Sequence, residues 1–177
     1  MSNTVKVLGI SGSLRSNSTN TNVIKSFFNL LPCNTACHLF SGLDTLPHFD
    51  PGKVETEAVL SFKQLLSASD VVIICTPEYA FGVPGVLKNA LDWTVSSGEF
   101  NEKRVVAISA SPLNSGADKA LASLLLTLTA LGTRQAEHLS LSIPNIKAKL
   151  NSEGELIDEK TIGQLQKIAT NLFTIMN

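Results

Sequence analysis

Cysteine is scarce in this 177-residue sequence: Cys33, Cys37 and Cys75 are all it has. An odd number at irregular spacing argues against a disulfide framework and fits a reducing cytoplasm. Cys33 and Cys37 lack the second pair that a cysteine metal site needs, so the thiols read as plain buried or partly exposed side chains. Histidine is as thin, with His38, His48 and His138 scattered along the chain. No Ser-His-Asp set, metal-binding cluster or carboxylate pair accompanies them. A surface or structural role is expected for each histidine, and only His48 stands in a loop placed to overhang a site.

Charge of either sign is not in excess. Fourteen Lys and Arg against fifteen Asp and Glu leave a net charge of -1, which gives nucleic acid or a membrane surface nothing to recognise. No stretch approaches the roughly 18–20 apolar residues of a membrane span. The opening MSNTVKVLGIS has neither a long apolar core nor a small-residue cleavage site, so no export signal is expected.

What the sequence does have is apolar residues, 44% of the chain, enough for one domain with a proper core. Their spacing predicts strands over Val5–Ser11, Thr35–Phe40, Asp70–Cys75 and Arg104–Ala110, and a weaker one over Arg134–Ile143. Between and after them it predicts helices over Thr19–Leu31, Val54–Ser67, Gly85–Ser96, Ser115–Gly132 and Asp158–Ile175. Pro84 suits a first helical turn and Gly132 a helix end. The run Val71-Val-Ile-Ile-Cys75 does not alternate, the mark of a central strand covered on both faces. Strand and helix alternate five times, which predicts a doubly wound α/β domain with a parallel sheet and right-handed crossovers. Ligands of such sheets sit beyond the carboxyl ends of the strands, singling out the loops 11–20, 76–84 and 109–116.

The first of these loops is the richest. In VKVLGISGSLRSNSTNTN, hydroxyls from Ser11, Ser13, Ser18 and Thr19, the guanidinium of Arg15 and the amide of Asn20 crowd the exit of the leading strand. A phosphate monoester is nearly a dianion with three acceptor oxygens, and converging donors beside unpaired helix N–H groups are what it needs. A dinucleotide fingerprint would need three glycines where only Gly12 stands, and a Walker loop would need Gly-Lys-Ser/Thr. The same residues also favour helix caps and turns, so composition alone leaves both readings open. Placement on the first strand-to-helix turn favours the phosphate.

The second loop, Thr76-Pro-Glu-Tyr-Ala-Phe-Gly-Val-Pro-Gly85, carries Tyr79 and Phe81 among prolines and glycines. It offers flat surfaces to an aromatic ring, with Gly82 available for a left-handed turn or a close approach; alone, it reads equally as a stiff turn covering the core edge. The third, Ser109-Ala-Ser-Pro-Leu-Asn-Ser-Gly116, caps a helix or places Ser111 against a ligand. The helix 120–131 carries Leu121, Leu124, Leu125, Leu126, Leu128 and Leu131, apolar over more than one face, which suits either its own neighbours or a second copy.

GSLR-SNSTN together with TPEYAFGVPGVLKNALDW resembles the NADPH-dependent FMN reductase family, whose relatives include quinone and chromate reductases and azoreductases. The likeness covers essentially the whole chain. It implies a flavodoxin-like three-layer fold with strand order 2-1-3-4-5. It also implies an FMN phosphate held by Ser13, Arg15, Ser18, Thr19 and Asn20, and an isoalloxazine ring lined by Pro77, Glu78, Tyr79 and Ala80. The family usually has asparagine where Ala80 stands, and often two glycines where Ser115-Gly116 stands.

The expectation is thus a cytoplasmic FMN oxidoreductase, dimeric or tetrameric. It would take hydride from NADH or NADPH and pass electrons to a small acceptor such as a quinone, free flavin, azo compound or oxidised metal ion. No catalytic side chain is required, because the chemistry belongs to the flavin. The alternatives are a flavodoxin-type electron carrier that does not react with NAD(P)H, and a phosphate-ligand binding module without redox chemistry.

Overall fold

Five parallel strands form one sheet in the order β2-β1-β3-β4-β5. They are β1 Val5–Ser11, β2 Thr35–Phe40, β3 Val71–Thr76, β4 Arg104–Ala110 and β5 Ser140–Ile143. The helices are α1 Thr19–Phe28, α2 Glu57–Ala68, α3 Gly85–Asp92, α4 Asp118–Ala130 and α5 Glu159–Thr174. This computed structural model describes residues 4–134 and 137–176. Strand order reverses between β1 and β3, which opens the crevice at the carboxyl ends of those two strands. Among the described residues no helix is long and apolar enough to cross a membrane.

All six residues of β3 are buried, which is why its sequence does not alternate. Val71, Ile73 and Cys75 face one side, where they meet Ile24 and Phe27 of α1 and Leu165 and Leu172 of α5. Val72 and Ile74 face the other, against Phe62 of α2, Leu91 of α3 and Leu124 and Leu128 of α4. Each fully buried side chain of this size contributes about 1.5–3 kcal/mol of transfer free energy. Cys75 lies wholly within the sheet, and burial pushes its thiol well above the usual range, whereas Cys33 and Cys37 are exposed.

Helix ends account for most departures from the expected boundaries. Thr56 occupies the cap position before α2 in extended conformation, and Glu55 turns back to pair with Lys63, so Val54–Thr56 lie outside the helix. α3 stops at Asp92, where the following Thr94 hydroxyl donates to the Leu91 carbonyl. α4 starts at Asp118, three residues after the expected Ser115, and ends at Ala130; the expected terminator Gly132, at φ +71°, closes a Schellman turn in which Thr133 N–H bonds the Leu128 carbonyl and Gly132 N–H that of Thr129. The fifth strand is only four residues long. Arg134 forms an isolated bridge with Arg104, residues 137–139 make a 3-10 turn, and the rest of the expected strand, residues 135–136, lies outside the described residues. Of the leucines on α4, Leu124 and Leu128 are buried and Leu121, Leu125 and Leu131 pack against the same core, leaving Leu126 74% exposed.

Candidate functional site

The first loop leaves β1 beside β3, where Gly12 N–H donates to the Cys75 carbonyl at 2.8 Å. It then folds on its own hydroxyls: Ser13 N–H reaches Ser11 Oγ and Arg15 N–H reaches Ser13 Oγ, both at 3.4 Å. Ser18 caps α1, its Oγ accepting from the N–H groups of Asn20 and Thr21. The capping reading of the loop is thus seen directly, and it leaves the Arg15, Thr19 and Asn20 side chains available at the same rim. Asn20 is buried, and its Oδ1 accepts from the Cys75 thiol at 3.3 Å, which leaves the amide NH2 as the group for a ligand. The Arg15 side chain is exposed and makes no ion pair with any described residue.

The second loop is stiffer than its sequence suggests. Tyr79 and Gly82 exchange two backbone hydrogen bonds of 3.0 Å, closing a two-residue turn with Ala80 at φ +49° and Phe81 at φ +61°. Of the two roles open to Gly82, a left-handed turn or a close approach, the first falls instead on Ala80 and Phe81, because a turn of this hand requires positive φ at both central positions. Glu78 does not point into solvent: its carboxylate accepts from Ala120 N–H at 2.9 Å, tying the loop to the start of α4.

The third loop is cross-braced to β5. Gly116 sits at φ +65°, and a Cβ there would lie 2.4 Å from Ser142 Oγ, so only glycine fits. Its carbonyl accepts from both Ser109 and Ser142 hydroxyls at 2.8 Å. Ser111 is buried, and its Oγ accepts from Leu113 N–H, forming a turn of its own. The N–H groups of Asn145 and Ile146 bond the carbonyls of Leu113 and Ser111, which brings the 3-10 turn Ile146–Lys149 to the same rim.

These three loops enclose one cleft of about 360 Å³. Ser13, Arg15, Ser18, Thr19 and Asn20 line one end, Pro77, Glu78 and Tyr79 one wall, and Ser111 the facing wall. Three expected residues fall outside its lining. Ser11 borders a smaller cavity of about 240 Å³ at the end of β2, while Ala80 and Gly82 form the back of the turn that presents Tyr79. The cleft adds residues the sequence reading missed: Asn17, Ala110, Pro112, Leu113 and Lys147. Lys147 had no local signal, since it arrives only because β5 is short and its following turn is bonded to the third loop.

The cleft is polar and cationic at the Arg15 end and flatter and more apolar along Pro77, Tyr79 and Leu113. That suits a ligand with an anionic tail and a planar head, and the donor set fits a phosphate monoester without needing a metal. Among the described residues no group of three or more His, Cys, Asp or Glu could hold a metal ion.

Relatives have been described. The chain is 31% identical over 172 residues to an NAD(P)H-dependent FMN reductase of Pseudomonas aeruginosa, covering 94% of this chain and 92% of that protein. It is 32% identical over 97 residues to a quinone reductase of Escherichia coli, covering 52% of each. Among solved structures, the flavoenzyme NAD(P)H:(acceptor) oxidoreductase FerB of Paracoccus denitrificans superposes with a TM-score of 0.84 at 30% identity, covering 94% of both chains. The NADPH-dependent FMN reductase profile matches residues 5–148. With the doubly wound sheet and its phosphate-type loop already in place, the match settles the family: this chain belongs to the NADPH-dependent FMN reductases.

Proposed function

We propose that the cleft holds FMN with its phosphate against the first loop and its ring along Tyr79, and that the protein passes electrons from NADH or NADPH to small oxidants. Quinones, free flavin, azo compounds and metal ions such as chromate are the acceptor classes. The observation that carries this reading is the convergence of Ser13, Arg15, Thr19 and Asn20 at one end of a single cleft whose other walls are Tyr79 and Ser111. Bound FMN supplies the redox centre; the chain supplies position, charge and dryness.

Arg15 opposes the phosphate charge, and the Ser13 and Thr19 hydroxyls with the Asn20 NH2 donate to its oxygens. Ser18 holds the loop and the helix start in register. Pro77, Tyr79 and Leu113 give the head group apolar contact, and Ser111 donates from the opposite side. Glu78 braces the second loop through Ala120. No step needs a nucleophile or a resident acid from the protein.

The competing reading, a flavodoxin-type carrier, would use the same phosphate loop, and the family match argues against it. Purified protein should be yellow, lose its colour on anaerobic addition of NADPH, and regain it with a quinone. Colourless protein that FMN cannot reconstitute ends the reading; a yellow protein that NADPH does not bleach turns it into the carrier. Leu14, Tyr79, Phe81 and Leu113, each more than half exposed around the cleft, support a homodimer or homotetramer, which sedimentation of the FMN-loaded protein tests. The two exposed unbridged thiols, Cys33 and Cys37, are consistent with a cytoplasmic setting.

A further inference from the structure

Arg15 and Tyr79 line more than the cofactor cleft. Sharing them with the cofactor cleft is a second space of about 560 Å³, bounded also by Gly12, Leu14, Pro84, Gly85, Val86 and His48. Apart from the shared Arg15 and the Tyr79 hydroxyl, His48 is the one side chain here with a hydrogen to donate. Its backbone is fixed on both sides. The Pro47 carbonyl accepts from Asn89 Nδ2 at 2.9 Å and from Trp93 Nε1 at 2.8 Å, while Phe49 N–H donates to Asn89 Oδ1 at 2.7 Å. The Phe49 ring also meets Trp93 edge-on at 5.1 Å. Two residues of α3 and its end thus clamp a loop 40 positions earlier, and the clamped residue is the histidine at the cavity rim. The imidazole itself makes no hydrogen bond or ion pair with any described residue.

We infer that this cavity is the acceptor pocket, and that it takes a flat para-quinone whose carbonyl oxygen accepts a hydrogen bond from His48. The inference rests on FMN lying in the neighbouring cleft. Leu14, Pro84 and Val86 present the apolar surface that a planar ring buries, and the shared Tyr79 wall keeps the occupant beside the cofactor. Arg15 is engaged by the phosphate and Tyr79 is shared with the cofactor cleft, so His48 is the donor that belongs to this cavity alone. In the overall reaction NAD(P)H, a proton from water and the quinone become NAD(P)⁺ and the hydroquinone. The quinone gains two electrons and two protons, and both C=O groups become C–OH. Negative charge grows on the carbonyl oxygen along that path, so the bond from His48 strengthens toward the transition state.

The test uses the FMN-loaded protein, reduced anaerobically with NADPH and mixed in a stopped-flow instrument with 1,4-benzoquinone or with ferricyanide, which takes electrons without a pocket. His48→Leu should cut the rate with quinone about tenfold, the scale of one lost hydrogen bond, and His48→Gln should restore most of it. Both should leave the ferricyanide rate and FMN retention as they were. Gly85→Phe gives a second test, since a Cβ at Gly85 meets nothing within 4 Å and the ring would fill the cavity; it should slow quinone and spare ferricyanide. Wild-type rates with quinone in both His48→Leu and Gly85→Phe overturn the pocket, as does an equal loss with both oxidants. Failure of NADPH to bleach the wild-type protein removes the cofactor reading, and the pocket with it; normal bleaching beside unchanged quinone rates removes the pocket alone.

Discussion

The carboxylate of Glu78 accepts a 2.9 Å hydrogen bond from the backbone N–H of Ala120, 42 residues further along the chain. Helix α4 needs this partner. Its cap position is Ala117, held at φ +64° with no side-chain acceptor, and its first N–H groups would otherwise lack one. A residue of the proposed ring-binding loop thus caps a helix on the far side of the crevice, and the helix dipole favours the charge placed there.

Removing that cap should cost stability and loosen the loop together. Glu78→Ala is expected to destabilise the fold by about 1–2 kcal/mol. Glu78→Gln keeps an acceptor oxygen and should cost about 0.3–1 kcal/mol, the dipole contribution alone. Thermal unfolding of the apoprotein separates them, with each kcal/mol worth roughly 2–4 °C at this size. FMN retention should drop in Glu78→Ala more than in Glu78→Gln; equal unfolding temperatures for all three proteins would show that the contact holds nothing.

Ala80 and Phe81 carry the backbone in a conformation that neither residue favours. A left-handed residue with a Cβ is strained by about 1–2 kcal/mol, and asparagine tolerates the region better. Ala80→Asn should therefore stabilise the apoprotein by about 0.5–1 kcal/mol, and Ala80→Gly should gain less than the strain relief because the unfolded chain becomes freer. Denaturant midpoints at unchanged slope measure both. A destabilised Ala80→Asn would mean that the turn opens in solution.

The contrast between these two features and the rest shows what a sequence makes legible. Val71-Val-Ile-Ile-Cys75 announced a central strand because burial on both faces removes alternation, and that single fact set the sheet around it. Ser13, Arg15 and Asn20 were singled out because phosphate chemistry favours their side-chain types in one loop, and the structure brings all three to one cleft. Glu78 was different: its partner is a backbone N–H, which every residue has, so nothing near Ala120 betrays the contact. Lys147 was hidden for a similar reason, its position depending on carbonyls of Ser111 and Leu113 that carry no compositional mark. The positive φ of Ala80 and Phe81 had no mark in the sequence, because glycine is the usual signal and here alanine and phenylalanine occupy those positions.

Asp158 links stability to pH. Its side chain accepts from the Thr161 hydroxyl and from Thr161 N–H at the start of α5, with Lys149 3.3 Å away. Those hydrogen bonds, more than the lysine, hold its carboxyl below the usual aspartate range. A group whose folded pKa is depressed stabilises the fold above its unfolded pKa of about 3.9 and loses that effect as pH falls through the lower folded value. Asp158→Asn should thus unfold at a lower temperature than the wild type at pH 7. Melting curves from pH 7 down to pH 2 should show the gap closing only in the acid limb. A gap of constant size across that range would assign the effect to the cap geometry and not to the charge.

Arg15 brings the guanidinium to the proposed phosphate end, and a charge-assisted contact of this kind is worth about 2–3 kcal/mol. Arg15→Ala should weaken FMN by that amount, roughly 30- to 150-fold, and Arg15→Lys should recover part of it as a point charge without the fork. Riboflavin supplies the internal comparison, since it has the same ring and ribityl chain and no phosphate. Quenching of flavin fluorescence on titration into apoprotein gives both affinities. If Arg15 reads the phosphate, the substitution lowers FMN affinity toward that of riboflavin and leaves riboflavin where it was. Rising salt should also erode the FMN preference of the wild type more than that of Arg15→Ala, because an exposed charge pair is screened. Equal losses for both flavins would instead place the guanidinium against the ring, and the tail would then have to be held by the α1 end of the cleft alone.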